Sequence, residues 1–157
     1  MKHQMSEPIR RHVTVPVAPD EAFRMFTKEI GSWWPVETHS MAADREDGTT
    51  VESLLFEERE GGRVYEVDSK GNEGTWATVL SWDPPHRFVL AWKPNLRDEP
   101  ATEVEVSFTA DGAGTPVDLE HRGWERLGDR GLEAGSSYER GWSILLERYA
   151  GVTQAVG

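Results

Sequence analysis

The chain has 157 residues, no cysteine and a formal net charge of -11 from 28 acidic and 17 basic residues. This length and one continuous pattern favour a single domain. The missing thiols exclude disulfides and cysteine catalysis, and they fit a reducing compartment. The negative charge disfavours nucleic acids and anionic membranes as partners, because both are negative themselves. No signal peptide or apolar run of transmembrane length is recognisable, so a cytoplasmic location is expected.

The first third of the sequence predicts a strand followed by two short helices. Residues 1–8 are polar and are expected to be flexible. Apolar residues then alternate over residues 9–17, as in a half-buried strand. Pro19 followed by two acids predicts a helix start, and Trp33-Trp34-Pro35 ends a second short helical turn. Residues 37–50 lack periodicity and predict either an exposed connector or a lid over a cavity.

The middle of the chain predicts consecutive strands joined by short turns, which form an antiparallel meander. Alternating apolar residues mark strands within 51–57, 63–67, 74–82, 88–92, 103–108 and 117–122. In the third of these, Trp76, Thr78, Leu80 and Trp82 are expected to share one face. In the last two, acidic and apolar residues alternate, so one face of the sheet meets water and the other needs a cover.

A long helix near the C-terminus is the best candidate for that cover. Its apolar stripe consists of Tyr138, Trp142, Leu145, Leu146 and Tyr149. Gly141 beside this stripe is interpreted as a point of close backbone approach. We predict an α+β fold in which a curved antiparallel sheet of six to seven strands wraps around this helix. Residues 9–151 would form one domain, and residues 152–157 a C-terminal tail.

Several fragments, in matching order, resemble the SRPBCC or START-like superfamily, whose fold is the helix-grip fold. Among them are GSWWP, FEEREGGRVYEV, GTWATVLSWDPPHRFVLAW, VDLEHRGWERLGD and GWSILLERY, and the resemblance spans roughly residues 9 to 150. The branch resembled most is the C-terminal domain of the activator of heat-shock-protein ATPase, with bacterial members similar to polyketide cyclases. The resemblance implies a deep apolar cavity between sheet and helix. Nothing here corresponds to the N-terminal domain of the eukaryotic co-chaperone, so no chaperone contact is expected.

Inward-facing aromatic residues are the candidate ligand site. The seven tryptophans are interpreted either as the lining of this cavity or as ordinary core. The predicted lining residues are Trp33, Trp34, Trp76, Leu80, Trp92, Val106, His121, Tyr138 and Trp142. His121 is interpreted either as a group that bonds or exchanges protons with a ligand or, preferably, as a bonded core histidine.

Three functions are compatible with these observations. The first is a non-enzymatic protein, monomeric or homodimeric, that binds a small hydrophobic or aromatic molecule without a cofactor. The second is a cyclase- or hydrolase-like enzyme in which His121 or Glu66 transfers protons in the same cavity. The third is an interaction protein that binds a chaperone or client through Glu103, Glu105 and Glu120 on the acidic sheet face. No nucleophile motif, phosphate loop or metal-ligand spacing is present, so no catalytic or metal residue is assigned.

Overall fold

A computed structural model describes residues 7–94 and 100–156, so most of the predicted flexible N-terminus and residue 157 lie outside the described residues. Two short 3₁₀ segments, Ile30–Ser32 and Trp124–Arg130, accompany the regular elements of this part of the chain. Those elements are β1 (Ile9–Val15), α1 (Pro19–Thr27), α2 (Met41–Arg45), β2 (Val51–Phe56), β3 (Arg63–Asp68), β4 (Glu73–Asp83), β5 (Arg87–Trp92), β6 (Thr102–Phe108), β7 (Thr115–Arg122) and α3 (Gly131–Val156).

The strands form one antiparallel sheet in the order β1-β7-β6-β5-β4-β3-β2. Strands β2 to β7 are a meander, as their short connections predict. Strand β1 pairs with β7, with Ile9 opposite His121 and Val13 opposite Val117. Strand β1 is therefore an edge strand of the sheet, next to β7. Helix α3 lies across the inner face of the sheet. The predicted α+β helix-grip fold is confirmed.

Strand β4 departs from simple alternation at two bulges. Trp76 has no partner residue on β3, and Leu80 has no partner residue on β5, so each marks a β-bulge. Each bulge reverses the faces that the following residues present. Trp76 and Val79 are consequently buried, whereas Leu80 is 49% exposed. The prediction that Leu80 faces the cavity is wrong, because it assumed unbroken alternation through the strand.

The long helix buries its predicted stripe. The Tyr149 hydroxyl donates a hydrogen bond of 2.7 Å to the carbonyl of Ala22, which ties α3 to α1. The fully covered residues of the stripe are Trp142, Leu145, Leu146 and Tyr149. This burial supplies the apolar contact area that an amphipathic helix needs for its stability.

Two predictions about this helix are wrong. A Cβ placed on Gly141 would meet no described atom within 4 Å, so the glycine marks open space rather than close backbone approach. The helix also continues to Val156 and buries Thr153, so residues 152–156 belong to it and not to a tail. None of the described helices has the length and apolar content needed to cross a bilayer.

Helix α1 fills one half of the space between the sheet and α3. Phe23 lies 5.1 Å from Phe108, and Phe26 lies 4.9 Å from Tyr149, between ring centroids. Trp33 joins this cluster, with its ring centroid 5.1 Å from that of Phe26. Edge-on and tilted aromatic packing of this kind leaves a solid core at this end of the molecule.

Candidate ligand-binding cavity

The other half of that space holds a cavity of about 360 Å³ between α3, α2 and the central strands. This volume falls in the range of small-molecule sites, about 300 to 1,000 Å³. One wall is aromatic and another is polar. The lining residues are Trp34, Thr38, His39, Ser40, Met41, Asp44, Trp76, Trp92, Pro94, Ser137, Tyr138, Gly141 and Leu145.

The aromatic wall offers ring surfaces rather than free N–H groups. Trp34 Nε1 donates to the carbonyl of His39 at 2.6 Å, and Trp92 Nε1 donates to the Tyr138 hydroxyl at 2.8 Å. The ring centroids of Trp34 and Trp76 are 5.0 Å apart, and those of Trp76 and Trp92 are 6.2 Å apart. Because these indole N–H groups are satisfied within the protein, the cavity meets flat apolar surface.

Glu66 holds α2 against the sheet. Its carboxylate accepts hydrogen bonds from the N–H groups of Met41 and Ala42, at 2.7 and 2.9 Å, and from Trp76 Nε1 at 2.7 Å. Glu66 is 1% exposed, and such a buried carboxylate is tolerated because charge-assisted donors surround it. It does not line the cavity, and it already accepts three hydrogen bonds. The hypothesis that Glu66 transfers protons to a ligand is therefore not supported by its position.

Gly74 in β4 leaves room for the side chain of Met41, the first residue of α2. A Cβ on Gly74 would lie 2.9 Å from the Met41 sulfur, which is too close for a real contact. Ser40 caps α2 by accepting a hydrogen bond of 3.0 Å from the Ala43 N–H. Residues 37–50 thus include a capped helix that forms one wall of the cavity, rather than an unstructured connector.

His121 lies behind the cavity, fully buried. Its Nδ1 accepts a hydrogen bond of 3.0 Å from Trp142 Nε1. Since an indole N–H only donates, the proton of His121 must sit on Nε2, which donates to Thr102 Oγ1 at 2.7 Å. Burial lowers the pKa of His121 to about 3. Both ring nitrogens are therefore bonded inside the protein, a position that favours the core interpretation and gives no support to proton transfer with a ligand.

The predicted lining residues thus separate into two groups. The cavity brings together Trp34, Trp76, Trp92 and Tyr138. Core packing uses Trp33, Val106, His121 and Trp142, which are buried outside the lining. The polar residues of the lining, Thr38, His39, Ser40 and Asp44, were missed. The serine cap before Met-Ala-Ala-Asp is the sequence signal that predicts a short helix there.

Two lining residues have shifted pKa values. Burial raises the pKa of Tyr138, so its hydroxyl stays protonated. That hydroxyl accepts from Trp92, and its own proton points to no acceptor among the described residues. Partial burial, and then the charge of Glu66, raise the pKa of Asp44. Within the described ranges, no three His, Asp or Glu side chains meet as a metal site would require.

The acidic sheet face is an ion-pair network. Arg122 lies 2.7 Å from Glu105, 3.1 Å from Glu103 and 3.3 Å from Glu120. Arg87 adds a second partner for Glu105 at 3.0 Å. Hydrogen bonds from these two arginines outweigh partial burial and lower the pKa of Glu105. Much of the negative charge proposed for partner binding is therefore compensated within the sheet.

Comparison with known proteins agrees with this architecture. A family model described as Activator of Hsp90 ATPase homolog 1-like protein matches residues 16–152, which confirms the resemblance to that branch. No match was found among proteins with curated functions.

Solved structures share the fold over nearly the whole chain. CalC from Micromonospora echinospora, a self-sacrificing resistance protein, is 26% identical, with 98% of this chain and 97% of that chain covered and a TM-score of 0.73. The anthrahydroquino-gamma-pyrone synthase Txn09, solved as a complex, is 30% identical, with 94% and 98% covered and a TM-score of 0.59. An AHSA1-like protein from Aeromonas hydrophila is 15% identical, with 96% and 94% covered and a TM-score of 0.65, and its likeness concerns the fold alone.

Proposed function

We propose that this chain, which belongs to the Activator of Hsp90 ATPase homolog 1-like family, binds a small aromatic or apolar molecule in its cavity. One observation carries the proposal. Trp34, Trp76 and Trp92 line a space of about 360 Å³, whereas in the opposite half of the same interior the aromatic rings pack against one another. Aromatic side chains that line a space of this size favour a flat apolar occupant.

The name of one relative supports an aromatic ligand. Txn09 is a synthase whose product name denotes a fused aromatic ring system, and it is 30% identical to this chain. CalC, at 26% identity, is a resistance protein. A fused ring system would lie against the three indoles, and each well-placed ring pair contributes about 0.5 to 1.5 kcal/mol beyond burial.

Tyr138 would orient such a ligand. Its hydroxyl accepts the Trp92 N–H at 2.8 Å and keeps its own proton for donation. A ligand carbonyl or hydroxyl oxygen placed at this point of the cavity would receive that hydrogen bond. The polar wall would thus set the orientation of the ligand, and the indoles would supply most of the affinity.

A cyclase-like enzyme in the same cavity is the second candidate, and the name of Txn09 favours it. His121 and Glu66 are already paired and lie outside the lining, so proton transfer would fall to Tyr138, His39 or Asp44. Single-turnover assays with a polyketide-derived aromatic substrate would separate an enzyme from a binding protein.

The first test is a titration with 1,8-dihydroxyanthraquinone, followed by the quenching of tryptophan fluorescence. We expect saturable quenching with the native chain. Gly141→Leu places a side chain in the cavity, since Gly141 lines it and a Cβ there meets no described atom, and this variant should lose binding. Gly151→Leu, on an exposed part of the same helix, is the matched control and should bind normally. Quenching that does not saturate, or that survives Gly141→Leu, would contradict the proposal.

A further inference from the structure

We propose that the ligand of this cavity carries a positively charged amine or quaternary ammonium group, seated between the indole rings and the carboxylate of Asp44. The inference rests on the proposed function and specifies the chemical class of its ligand. It follows from the charges, the pairing and the ring surfaces of the lining.

The formal charge of the lining has one sign. Among the described lining residues, Asp44 is the only Asp, Glu, Lys or Arg. The carboxylate of Glu66 adds a second negative charge close enough to affect Asp44. Lys93 and Arg130 do not line this cavity, but they line a neighbouring depression that shares Trp92, Pro94, Ser137 and Tyr138 with it. Negative charge next to low-dielectric walls attracts cations and repels anions.

Among the described residues Asp44 forms no salt bridge with a lysine or arginine, although His39 lies close enough to act on its charge. Arg45, the next residue, pairs with Asp68 at 2.9 Å. Lys70 pairs with Asp47 at 3.8 Å. Both nearby cations thus lie against other carboxylates, and the charge of Asp44 remains available to a ligand.

The aromatic wall suits the same ligand. The face of an indole is the best protein surface for a cation, because its ring quadrupole is negative above the plane. Trp34, Trp76 and Trp92 have their N–H groups bonded elsewhere. The charge of Asp44 also acts on Tyr138 of α3. Asp44 and the aromatic wall therefore border the same part of the cavity. A cation placed in the cavity would lie near both the aromatic wall and the Asp44 carboxylate, which line the same space.

The experiment compares three small probes of similar shape by isothermal titration calorimetry at pH 8. Benzyltrimethylammonium carries the positive charge, neopentylbenzene is its neutral carbon analogue, and phenylacetate carries a negative charge. We expect the cation to bind about tenfold more tightly than the neutral analogue and the anion to bind most weakly. Asp44→Asn should weaken the cation about fivefold and leave the neutral probe unchanged.

Glu46→Gln is the matched control, because it removes one negative charge from an exposed residue that does not line the cavity. It should change the affinity for the cation less than twofold. Equal affinities for the cation and the neutral probe, or a cation preference that survives Asp44→Asn, would overturn the inference while leaving the proposed function intact. Binding of none of the probes, together with no binding of 1,8-dihydroxyanthraquinone, would overturn both. The thermal unfolding temperature of Asp44→Asn should equal that of the native chain, so that a loss of affinity can be attributed to the missing charge and not to a change in folding.

Discussion

The two ends of the interior between the sheet and α3 are both rich in aromatic residues, yet one is solid and the other is open. At the solid end, the nine-residue helix α1 inserts Phe23 and Phe26 among strand and helix residues. At the open end, the five-residue helix α2 contributes smaller side chains, among them Met41 and Ala42. The two ends thus differ in the helix that covers them. Where the longer α1 inserts large side chains, the aromatic residues form a core, and where the shorter α2 contributes smaller ones, they line a cavity.

The two ends should therefore respond differently to mutation. Changes at the solid end should alter the free energy of unfolding and spare ligand binding. Changes at the open end should alter binding and cost little stability. Buried polar residues next to the cavity that do not line it, such as Glu66 and His121, should affect stability first.

The largest effect is expected at the solid end, from Phe26→Ala. Its ring packs against Trp33, Phe88, Phe108 and Tyr149, and its loss leaves a void. The free energy of unfolding in urea should fall by about 3 to 5 kcal/mol. Affinity for 1,8-dihydroxyanthraquinone, measured below the unfolding transition, should stay within twofold of the native value. If Phe26→Ala lost binding but kept normal stability, the assignment of stability to the solid end and of binding to the open end would be contradicted.

The second effect concerns Glu66→Gln, which tests how α2 is held. The amide nitrogen cannot accept a hydrogen bond, so at least one of the donors from Met41, Ala42 and Trp76 loses its partner. Unfolding free energy should fall by about 2 to 3 kcal/mol, and binding should weaken as α2 loosens. Glu52→Gln, on the exposed edge strand, is the control and should be neutral. Equal effects of the two substitutions would show that Glu66 does not anchor the helix.

The third effect is a pH dependence that arises from His121. Burial lowers its pKa in the folded chain to about 3, whereas the unfolded histidine binds a proton below about pH 6.5. The unfolded state therefore gains protons as the pH falls from 6.5 towards 3, and stability is lost over that window. The contribution should be about 2 kcal/mol between pH 8 and pH 5.

This pH dependence can be isolated by comparing variants. His121→Gln should unfold more easily at every pH, because it disturbs the contacts with Trp142 and Thr102. Its stability should nevertheless fall less steeply between pH 8 and pH 5 than that of the native chain. His86→Gln, at an exposed position in the turn before β5, should keep the native slope. Identical slopes for all three proteins would mean that His121 is not held neutral.

The smallest effect on stability is expected at the open end, from Gly141→Ala. The added methyl group meets no described atom within 4 Å, and alanine favours the helix by up to about 1 kcal/mol. Thermal unfolding should therefore shift upward, as it should for Gly151→Ala on the same helix. Only the Gly141 variant should weaken the anthraquinone probe, because only this residue lines the cavity. Destabilisation by Gly141→Ala would indicate that the space is already filled.

The overall fold could be predicted from sequence, because it depends on repeated local patterns. Alternation along the strands and the stripe on α3 are visible within ten or twenty residues. Leu80 was misplaced because a bulge depends on the partner strand, which local alternation does not report. For residues 37–50 the sequence left a lid and an exposed connector as alternatives, and it did not reveal the helix α2. That helix is too short to show a helical period, and the residue that holds it, Glu66, is 24 and 25 residues away in sequence.

The central claim is tested most directly by a crystal structure of the chain soaked with 1,8-dihydroxyanthraquinone. Density for the probe is expected inside the cavity, against the rings of Trp34, Trp76 and Trp92 and within hydrogen-bonding distance of the Tyr138 hydroxyl. An empty cavity at saturating probe, or density confined to the outer face of the sheet, would contradict the central claim.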